Sequence, residues 1–233
     1  LGDVVQSMTL ANGKAYIVVN NSSKVEVVSD DSLKYIETIT GVGSPRYLTQ
    51  VSSDKAYLSD WNTNSVHIID LVADAVVSSI PVGNGPESIT VANGKAYVCN
   101  IGGWGSDNTI SVIDVQTDQV VSTIEVNDKP NSALVDFEGN LWVLCKGKTS
   151  YNSTWSAIDS VSSTAGALIK IDPNTDEIEL KIDFPKFEGP NSLVINELGN
   201  KIYFLKGGVY LTNTSSAVYA HNTSQTEFNS IPM

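Results

Sequence analysis

The chain has few residues of the kinds that build disulfide frameworks, metal sites and nucleic-acid surfaces. Among its 233 residues are two cysteines and two histidines, too few for a disulfide framework and not spaced as metal ligands. Lysine and arginine number 14 against 26 acidic residues, giving a net charge of −12, which argues against nucleic acid and anionic membranes as partners. No apolar run approaches the ~18 residues of a transmembrane helix, so the sequence predicts no membrane span.

The sequence also lacks an amphipathic helical period, and short β-rich runs take its place. Residues 87–130 show this pattern most clearly. Between its first two runs, the pair Asn93-Gly94 is a two-residue hairpin signal, because both residues adopt positive φ at little cost. The four runs are Ser88–Val91, Ala96–Cys99, Thr109–Ile113 and Val120–Ile124. One such unit is too small to bury its own faces, so it must stack on copies of itself.

The unit recurs along the whole chain. The second run of each copy carries an aromatic residue, at Tyr16, Tyr57, Tyr97, Trp142 and Tyr203. A proline precedes the first run in four copies, at Pro45, Pro86, Pro130 and Pro190. A period of roughly 40–45 residues with four strands is typical of a β-propeller blade. The sequence therefore predicts an all-β single domain, a β-propeller whose four-stranded antiparallel blades span about 5–46, 46–86, 87–130, 131–190 and 191–233.

These residues resemble the YVTN-type propeller repeat family, which is named for a Tyr-Val-Thr-Asn run in its second strand. The matching tetrapeptides are Tyr16-Ile17-Val18-Val19, Tyr57-Leu58-Ser59-Asp60 and Tyr97-Val98-Cys99-Asn100, so the match is loose in letters and strong in spacing. The resemblance implies a seven-bladed ring. Since five blades are visible, we expect the chain to be part of such a ring, with a closed five-bladed ring as the alternative.

Within that family, the chain is similar to surface-exposed propeller lipoproteins of gram-negative gut bacteria that are described as surface-layer-like. The resemblance implies a location at the cell surface, at the outer membrane or in the periplasm. Some members of that group capture cobalamin and pass it to an outer-membrane transporter. It therefore also implies a corrinoid as a candidate ligand and an outer-membrane or surface protein as a candidate partner.

Most variation in loop length falls between the second and third runs of each repeat. This connection grows from residues 20–23 and 61–64 to residues 100–108, 146–166 and 206–216. In an up-and-down sheet alternate loops lie at the same end, so these loops should share one end with the connections between blades. Variable loops on a rigid scaffold commonly carry function. We expect a planar or partly apolar ligand to contact the aromatic residues of these loops, unless they only cover the blade ends: Trp61, Trp104, Tyr151, Trp155 and Tyr210.

A second set of polar residues opens the innermost strands and should ring the mouth of the central channel. Its members are Gln6, Arg46, Glu87, Asn131 and Asn191. We expect Arg46, Asn131 and Asn191 to contact a ligand there, with a channel that holds only water as the alternative.

Catalytic patterns are weak. His67 and His221 lie in or at the end of third runs, away from the long loops, and neither has a nucleophile nearby in sequence. The segment 172–176 resembles a calcium loop but lacks the glycine that such a loop needs, so it is interpreted as a turn. Recurring aspartates at Asp70, Asp114 and Asp172 are predicted to cap turns. Cys99 and Cys145 are expected to be buried free thiols, although neighbouring blades could bring them close enough to bond.

Three functions fit the sequence. The first is a non-enzymatic propeller that binds a small molecule at its long-loop end. The second is a protein-interaction or surface scaffold. The third is an enzyme, such as a lactonase-type hydrolase, with a metal held by Glu87, Asn131 and Asn191 at the channel mouth. We expect the first, with no catalytic residue and no resident metal or cofactor.

Overall fold

The computed structural model describes residues 2–212 and 215–227, and within them the chain forms strands and no helix. The described residues therefore contain no helix that is long and apolar enough to cross a membrane. The strands form successive antiparallel sheets, each of which follows chain order from its first strand to its last. The predicted β-propeller of four-stranded blades is confirmed.

The first three sheets each contain four strands. The first sheet consists of β1 (Val5–Ala11), β2 (Lys14–Val19), β3 (Lys24–Ser29) and β4 (Tyr35–Ile39). The second consists of β5 (Pro45–Gln50), β6 (Lys55–Asp60), β7 (Ser65–Asp70) and β8 (Ala75–Pro81). The third consists of β9 (Pro86–Ala92), β10 (Lys95–Asn100), β11 (Thr109–Asp114) and β12 (Gln119–Glu125).

The later sheets depart from this regular form. The fourth sheet consists of β13 (Pro130–Val135), β14 (Leu141–Cys145), β17 (Ala165–Asp172) and β18 (Glu177–Lys186), and a small hairpin of β15 (Ser150–Tyr151) and β16 (Ile158–Asp159) interrupts it. The fifth sheet shows three strands among the described residues, β19 (Asn191–Ile195), β20 (Lys201–Lys206) and β21 (Ala217–Asn222). The predicted end of the fifth blade, residues 228–233, lies outside the described residues.

The core lies between the sheets because each strand alternates its side chains between two faces. Second and third strands are the most buried, with Tyr16, Tyr57, Tyr97 and Trp142 fully enclosed. The first strands of successive sheets lie next to each other, which places them innermost. Each apolar cluster joins one blade to the next, so stacking supplies the burial that a single blade lacks.

Both cysteines lie in the cluster that includes residues of the third and fourth blades. As expected, Cys99 and Cys145 are buried free thiols. Burial in apolar surroundings raises the pKa of Cys99 to about 12, and it also raises the pKa of Cys145. Both side chains therefore act as small apolar core residues rather than as nucleophiles.

The loops segregate to the two ends of the blades as predicted. At one end, here called the long-loop end, each second-to-third-strand loop bonds to a connection between blades. Examples are Trp61 N to Ser44 O at 3.1 Å and Gly147 N to Asp128 O at 2.9 Å. At the other, short-turn end, tight turns bond to each other, as in Val115 N to Gly94 O at 3.1 Å.

The short-turn end carries a repeated contact between neighbouring blades, here called the Lys-Tyr/Asp clasp. A lysine and a tyrosine two residues apart on a second strand both donate to one aspartate in the last turn of the next blade. In the first clasp, Asp74 accepts from Lys14 Nζ at 2.6 Å and from Tyr16 Oη at 2.7 Å. The others join Lys55 and Tyr57 to Asp118, and Lys95 and Tyr97 to Asp176. Sequence inspection found the tyrosines but missed their acceptors.

The recurring aspartates cap turns, as predicted. Asp70 accepts hydrogen bonds from the amides of Val72 and Ala73, and Asp114 accepts from Gln116 and Thr117. The segment that resembles a calcium loop is the fourth-blade turn, in which Asp172 accepts from the amide of Asn174.

Candidate functional site

At the long-loop end, Arg46 occupies the start of an innermost strand, where it is bound by its neighbours on both sides. Its guanidinium donates to both carboxylate oxygens of Glu87 at 2.9 Å and to Gln6 Oε1 at 2.8 Å. Its face lies 4.1 Å from the ring centre of Trp61, a stacking that suits a planar cation. The network joins the first three blades, so Arg46 is a residue that positions Trp61.

Trp61 and Trp104 form an aromatic pair at the same end. Their ring centres are 5.8 Å apart and their planes meet at 82°, an edge-to-face contact. Trp61 is half-buried, whereas Trp104 is 96% exposed, so Trp104 is accessible to a binding partner. A close backbone approach fixes this loop, because a Cβ on Gly85 would lie 1.9 Å from Gly103 N.

Tyr151, Trp155 and Tyr210 form a second aromatic group, here called the Tyr151 cluster. The rings of Tyr151 and Trp155 are stacked at 5.1 Å, and those of Tyr151 and Tyr210 lie 5.9 Å apart. The group joins the long loops of the fourth and fifth blades, and Tyr151 Oη donates to Tyr210 O at 3.4 Å. Trp155 is 65% exposed and Tyr210 is 63% exposed, so the predicted residues come together with their faces accessible.

A cavity of ≈ 340 Å³ lies beside this cluster, here called the rim cavity. It is lined by residues of the connections that lead into the fourth and fifth blades and by residues of the long loops of these two blades. The lining residues are Lys129, Lys146, Gly147, Thr149, Tyr151, Gly189, Asn191, Gly207, Gly208, Val209 and Tyr210. Three of the predicted ligand residues are among them. Asn131 is not: its side-chain amide donates to Pro190 O at 2.9 Å and so holds the connection that follows the fourth blade.

Sequence inspection missed the lysines of this region, although a signal was present. The residue that follows or ends the second strand is Asn20, Asp60 and Asn100 in the first three blades and Lys146 and Lys206 in the last two. Lys206 is paired with Glu188 at 2.6 Å. Lys146, by contrast, is exposed and its ammonium contacts no hydrogen-bond or ion-pair partner in residues 2–212 and 215–227. The second strand thus ends at or beside a lysine in the last two blades, and of these two lysines Lys146 lines the rim cavity.

The histidines are structural. The prediction that both lie away from the long loops is wrong for His67, because its Nε2 lies 3.0 Å from Oδ2 of Asp60, which binds an inter-blade connection at that end. His221 is buried against Trp142, with ring centres 5.5 Å apart, and burial lowers its pKa. In the part of the chain that the structure describes, no three His, Cys, Asp or Glu side chains converge as metal ligands.

Asp60 organises the connection between the first two blades. Its wholly buried carboxylate accepts from the amides of Gly43, Ser44 and Asn62 at 2.6, 2.9 and 2.8 Å. Burial by itself would raise the pKa of Asp60, but the bonds from His67 and these amides outweigh it and lower the pKa to about 2. The same carboxylate thereby fixes the loop that carries Trp61.

We expect Asp60→Asn to reduce stability at pH 7 by on the order of 1–2 kcal/mol. Since the folded pKa lies below the ordinary value of about 3.9, the carboxylate stabilises the fold above about pH 4, and this stability is lost as the pH falls towards 2. Urea unfolding at pH 7 and at pH 3 measures both effects. Asp31→Asn, at an exposed turn position, is the control, and equal acid sensitivity of Asp60→Asn and wild type would contradict the assignment.

Another hollow lies away from these residues. A groove of ≈ 820 Å³ runs between the outer parts of the second and third blades near the short-turn end, with Asp54, Asp70 and Asp118 in its wall. None of the aromatic residues predicted to bind a ligand lines it. The predicted aromatic site residues therefore lie away from this groove.

One family model matches residues 1–231, and its description is "Domain of unknown function (DUF5074)". No curated protein matches the chain. Neither finding bears on the YVTN-type resemblance or on cobalamin.

Solved structures show the fold. Hydrazine synthase of Kuenenia stuttgartiensis superposes with a TM-score of 0.76 at 18% identity, over 93% of this chain and 62% of that one. The WD40 domain of Neurospora crassa Pan2 gives 0.69 at 14%, over 99% and 66%. The WD40 β-propeller domain of Doa1 gives 0.62 at 13%, over 88% and 60%. The chain thus spans about three fifths to two thirds of these chains, and likeness at such identity shows the fold alone.

Proposed function

Because the chain belongs to the DUF5074 family, whose description assigns no function, we propose from its geometry that it is a non-enzymatic binding propeller. Propellers serve ligand or protein binding in general. Here the ligand would be a small molecule with a large flat surface, bound at the long-loop end. One observation carries the proposal: the aromatic residues of the fourth and fifth long loops gather into one cluster with accessible faces, beside a cavity.

The arrangement of the Tyr151 cluster supports a flat ligand. Aromatic side chains supply a large contact area while losing little conformational entropy. The Tyr151 and Trp155 rings stack with their planes inclined at 25°, and Trp155 is 65% exposed, so a flat ligand would extend this stack on an outer face. The adjoining cavity of ≈ 340 Å³ can take part of a ligand whose remainder lies across the rings.

Cobalamin is the first ligand to test. Its corrin ring is larger than the rim cavity, so it would lie across the Tyr151 cluster and place only a substituent inside. The resemblance to surface-layer-like propeller lipoproteins supports this choice, and it also supports a place at the cell surface or outer membrane with delivery to a transporter there. Cobalamin binding, the surface location and delivery to a transporter are specific proposals within the general binding role.

A protein-binding role is the second candidate, and Trp104 favours it. This side chain is 96% exposed at the end of a loop, and exposed tryptophans often become anchors when a protein partner covers them. The Trp61–Trp104 pair would then contact a partner protein. Binding at this pair and binding at the Tyr151 cluster are separable by mutation.

Equilibrium dialysis against cyanocobalamin, followed by its visible absorbance, tests the small-molecule proposal. We expect the wild type to retain the compound, and Tyr151→Ala and Trp155→Ala to weaken binding by about tenfold, as for loss of roughly 1.4 kcal/mol of stacking. Tyr35→Ala is the matched control, because Tyr35 is 65% exposed on the outer strand of the first blade. No retention by wild type would reject the corrinoid, and equal loss in all three variants would reject the site.

A further inference from the structure

The lining of the rim cavity is unusual for this protein in its charge. The chain has 26 acidic residues against 14 basic ones. Even so, two lysines, Lys129 and Lys146, line the cavity, and none of the described residues that line it is aspartate or glutamate. Two acidic residues adjoin lining residues along the chain. Asp128 directs its carboxylate to the hydroxyls of Ser106 and Thr164, at 3.3 and 2.7 Å, and Glu188 is paired with Lys206 at 2.6 Å.

The two lysines are held differently. Lys129 Nζ donates to Gly105 O at 2.7 Å, a neutral acceptor that leaves its charge uncompensated. The Lys146 side chain passes over the inter-blade connection, with Cε about 4.0 Å from where a Cβ on Gly189 would lie. Burial, and then the charges of Lys146 and Lys148, lower the pKa of Lys129, although Asp128 acts in the opposite direction. Lys129, Lys146 and Lys148 therefore lie close together here, whereas Asp128 accepts from hydroxyls and Glu188 is paired with Lys206.

Glycines make the cavity accessible to a small group. Gly147, Gly189, Gly207 and Gly208 all line it and all have positive φ, at 74°, 52°, 111° and 73°. A Cβ on Gly207 would lie 2.2 Å from Ser215 O, and one on Gly189 would lie 2.8 Å from Val209 Cγ2. The backbone can follow this path only without side chains, so the floor of the cavity is bare backbone.

We propose that the rim cavity is an oxyanion site, in which Lys129 and Lys146 bind a carboxylate or phosphate group carried by the ligand. The inference rests on the proposed function, because the Tyr151 cluster at the cavity edge would bind the flat body of the same molecule. It narrows the ligand class to a planar or aromatic compound with an anionic substituent. Such charge-assisted contacts are stronger than neutral hydrogen bonds, and partial burial strengthens them further.

Selective ¹⁵N-glycine labelling provides the test, since the chain has 17 glycines and four of them line the cavity. Inorganic phosphate and sodium acetate are titrated separately at constant ionic strength. We expect saturable shifts of the Gly147, Gly189, Gly207 and Gly208 amides, and none at Gly13, Gly94 and Gly139, where a Cβ would meet nothing within 4 Å. Shifts with phosphate alone indicate a phosphate group, and shifts with acetate indicate a carboxylate.

The double variant Lys129→Gln/Lys146→Gln should raise the apparent dissociation constant for the responding anion by about tenfold or more. Lys34→Gln/Lys181→Gln removes the same charge elsewhere and should leave it unchanged. Absent shifts, shifts spread over all glycines, or equal effects in both double variants would overturn the proposal. The outcome is independent of the dialysis experiment: phosphate or acetate binding without cobalamin retention would keep the oxyanion site and reject the corrinoid.

Discussion

Replacing Gly85 with alanine is expected to destabilise the protein by about 3 kcal/mol. The new Cβ would lie 1.9 Å from Gly103 N and 2.5 Å from Gly103 Cα. Both are backbone atoms, so no side chain can rotate away. The backbone would have to separate, which breaks the bonds from Ile101 N to Gly85 O and from Gly102 N to Asn84 O, at 3.0 and 2.8 Å. Urea unfolding measures the loss.

Gly94→Ala is the matched control. Gly94 also has a positive φ, 73° against 55° for Gly85, but a Cβ there would meet nothing within 4 Å. It should therefore cost only the conformational strain, about 1 kcal/mol. Equal losses in the two variants would show that strain alone acts at Gly85. Since the displaced loop carries Trp104, a change in tryptophan emission should accompany the Gly85 variant and not the control.

The second large effect concerns the Lys-Tyr/Asp clasp. Asp74→Asn should destabilise the protein by about 2–3 kcal/mol, because Lys14 and the buried Tyr16 lose a charged acceptor. Asparagine is chosen because Asp74 has φ 51°, a conformation that asparagine tolerates. Chemical unfolding of Asp74→Asn, Tyr16→Phe and the double variant gives a mutant cycle. Strict additivity of the two losses would contradict a direct contact.

The clasp also has a pH dependence. Burial and then Asp74 raise the pKa of Tyr16 above its ordinary value near 10. A raised folded pKa means that the stabilisation is complete below about pH 10 and is lost at more alkaline pH. Tyr57 and Tyr97 have raised pKa values for the same reasons, so Tyr16→Phe should reduce the fall in stability between about pH 10 and 12 in part, and an unchanged slope would exclude Tyr16 as a source.

Repetition explains why so much of the fold could be predicted. The spacing of Tyr16, Tyr57 and Tyr97 set the period, and the alternation of strands set the end at which each loop lies. Those features are local, so they are visible in one sequence. Loop placement also predicted that Tyr151, Trp155 and Tyr210 lie at the same end, but it did not predict how their rings stack.

Contacts between blades could not be predicted in the same way. Asp74 and Tyr16 are 58 residues apart, and only stacking brings them together. Arg46 was predicted to bind a ligand from its place at the channel mouth, yet its partners Glu87 and Gln6 occupy the same place in neighbouring blades. The rim cavity depends on Lys129 and Lys146, which precede the first strand and follow the second strand of the fourth blade and come together only when those strands pair.

The four tryptophans lie in unlike surroundings. Trp142 is sealed in the core, Trp61 is half-covered, and Trp155 and Trp104 extend into solvent at 65% and 96% exposure. Their native emission should be a composite, blue-shifted from the sealed indole and red-shifted from the outer ones. Acrylamide should quench only the emission of the exposed tryptophans. Trp104 and Trp155 would then report on changes at the loops, and the emission of Trp142 would serve as an unquenched internal reference.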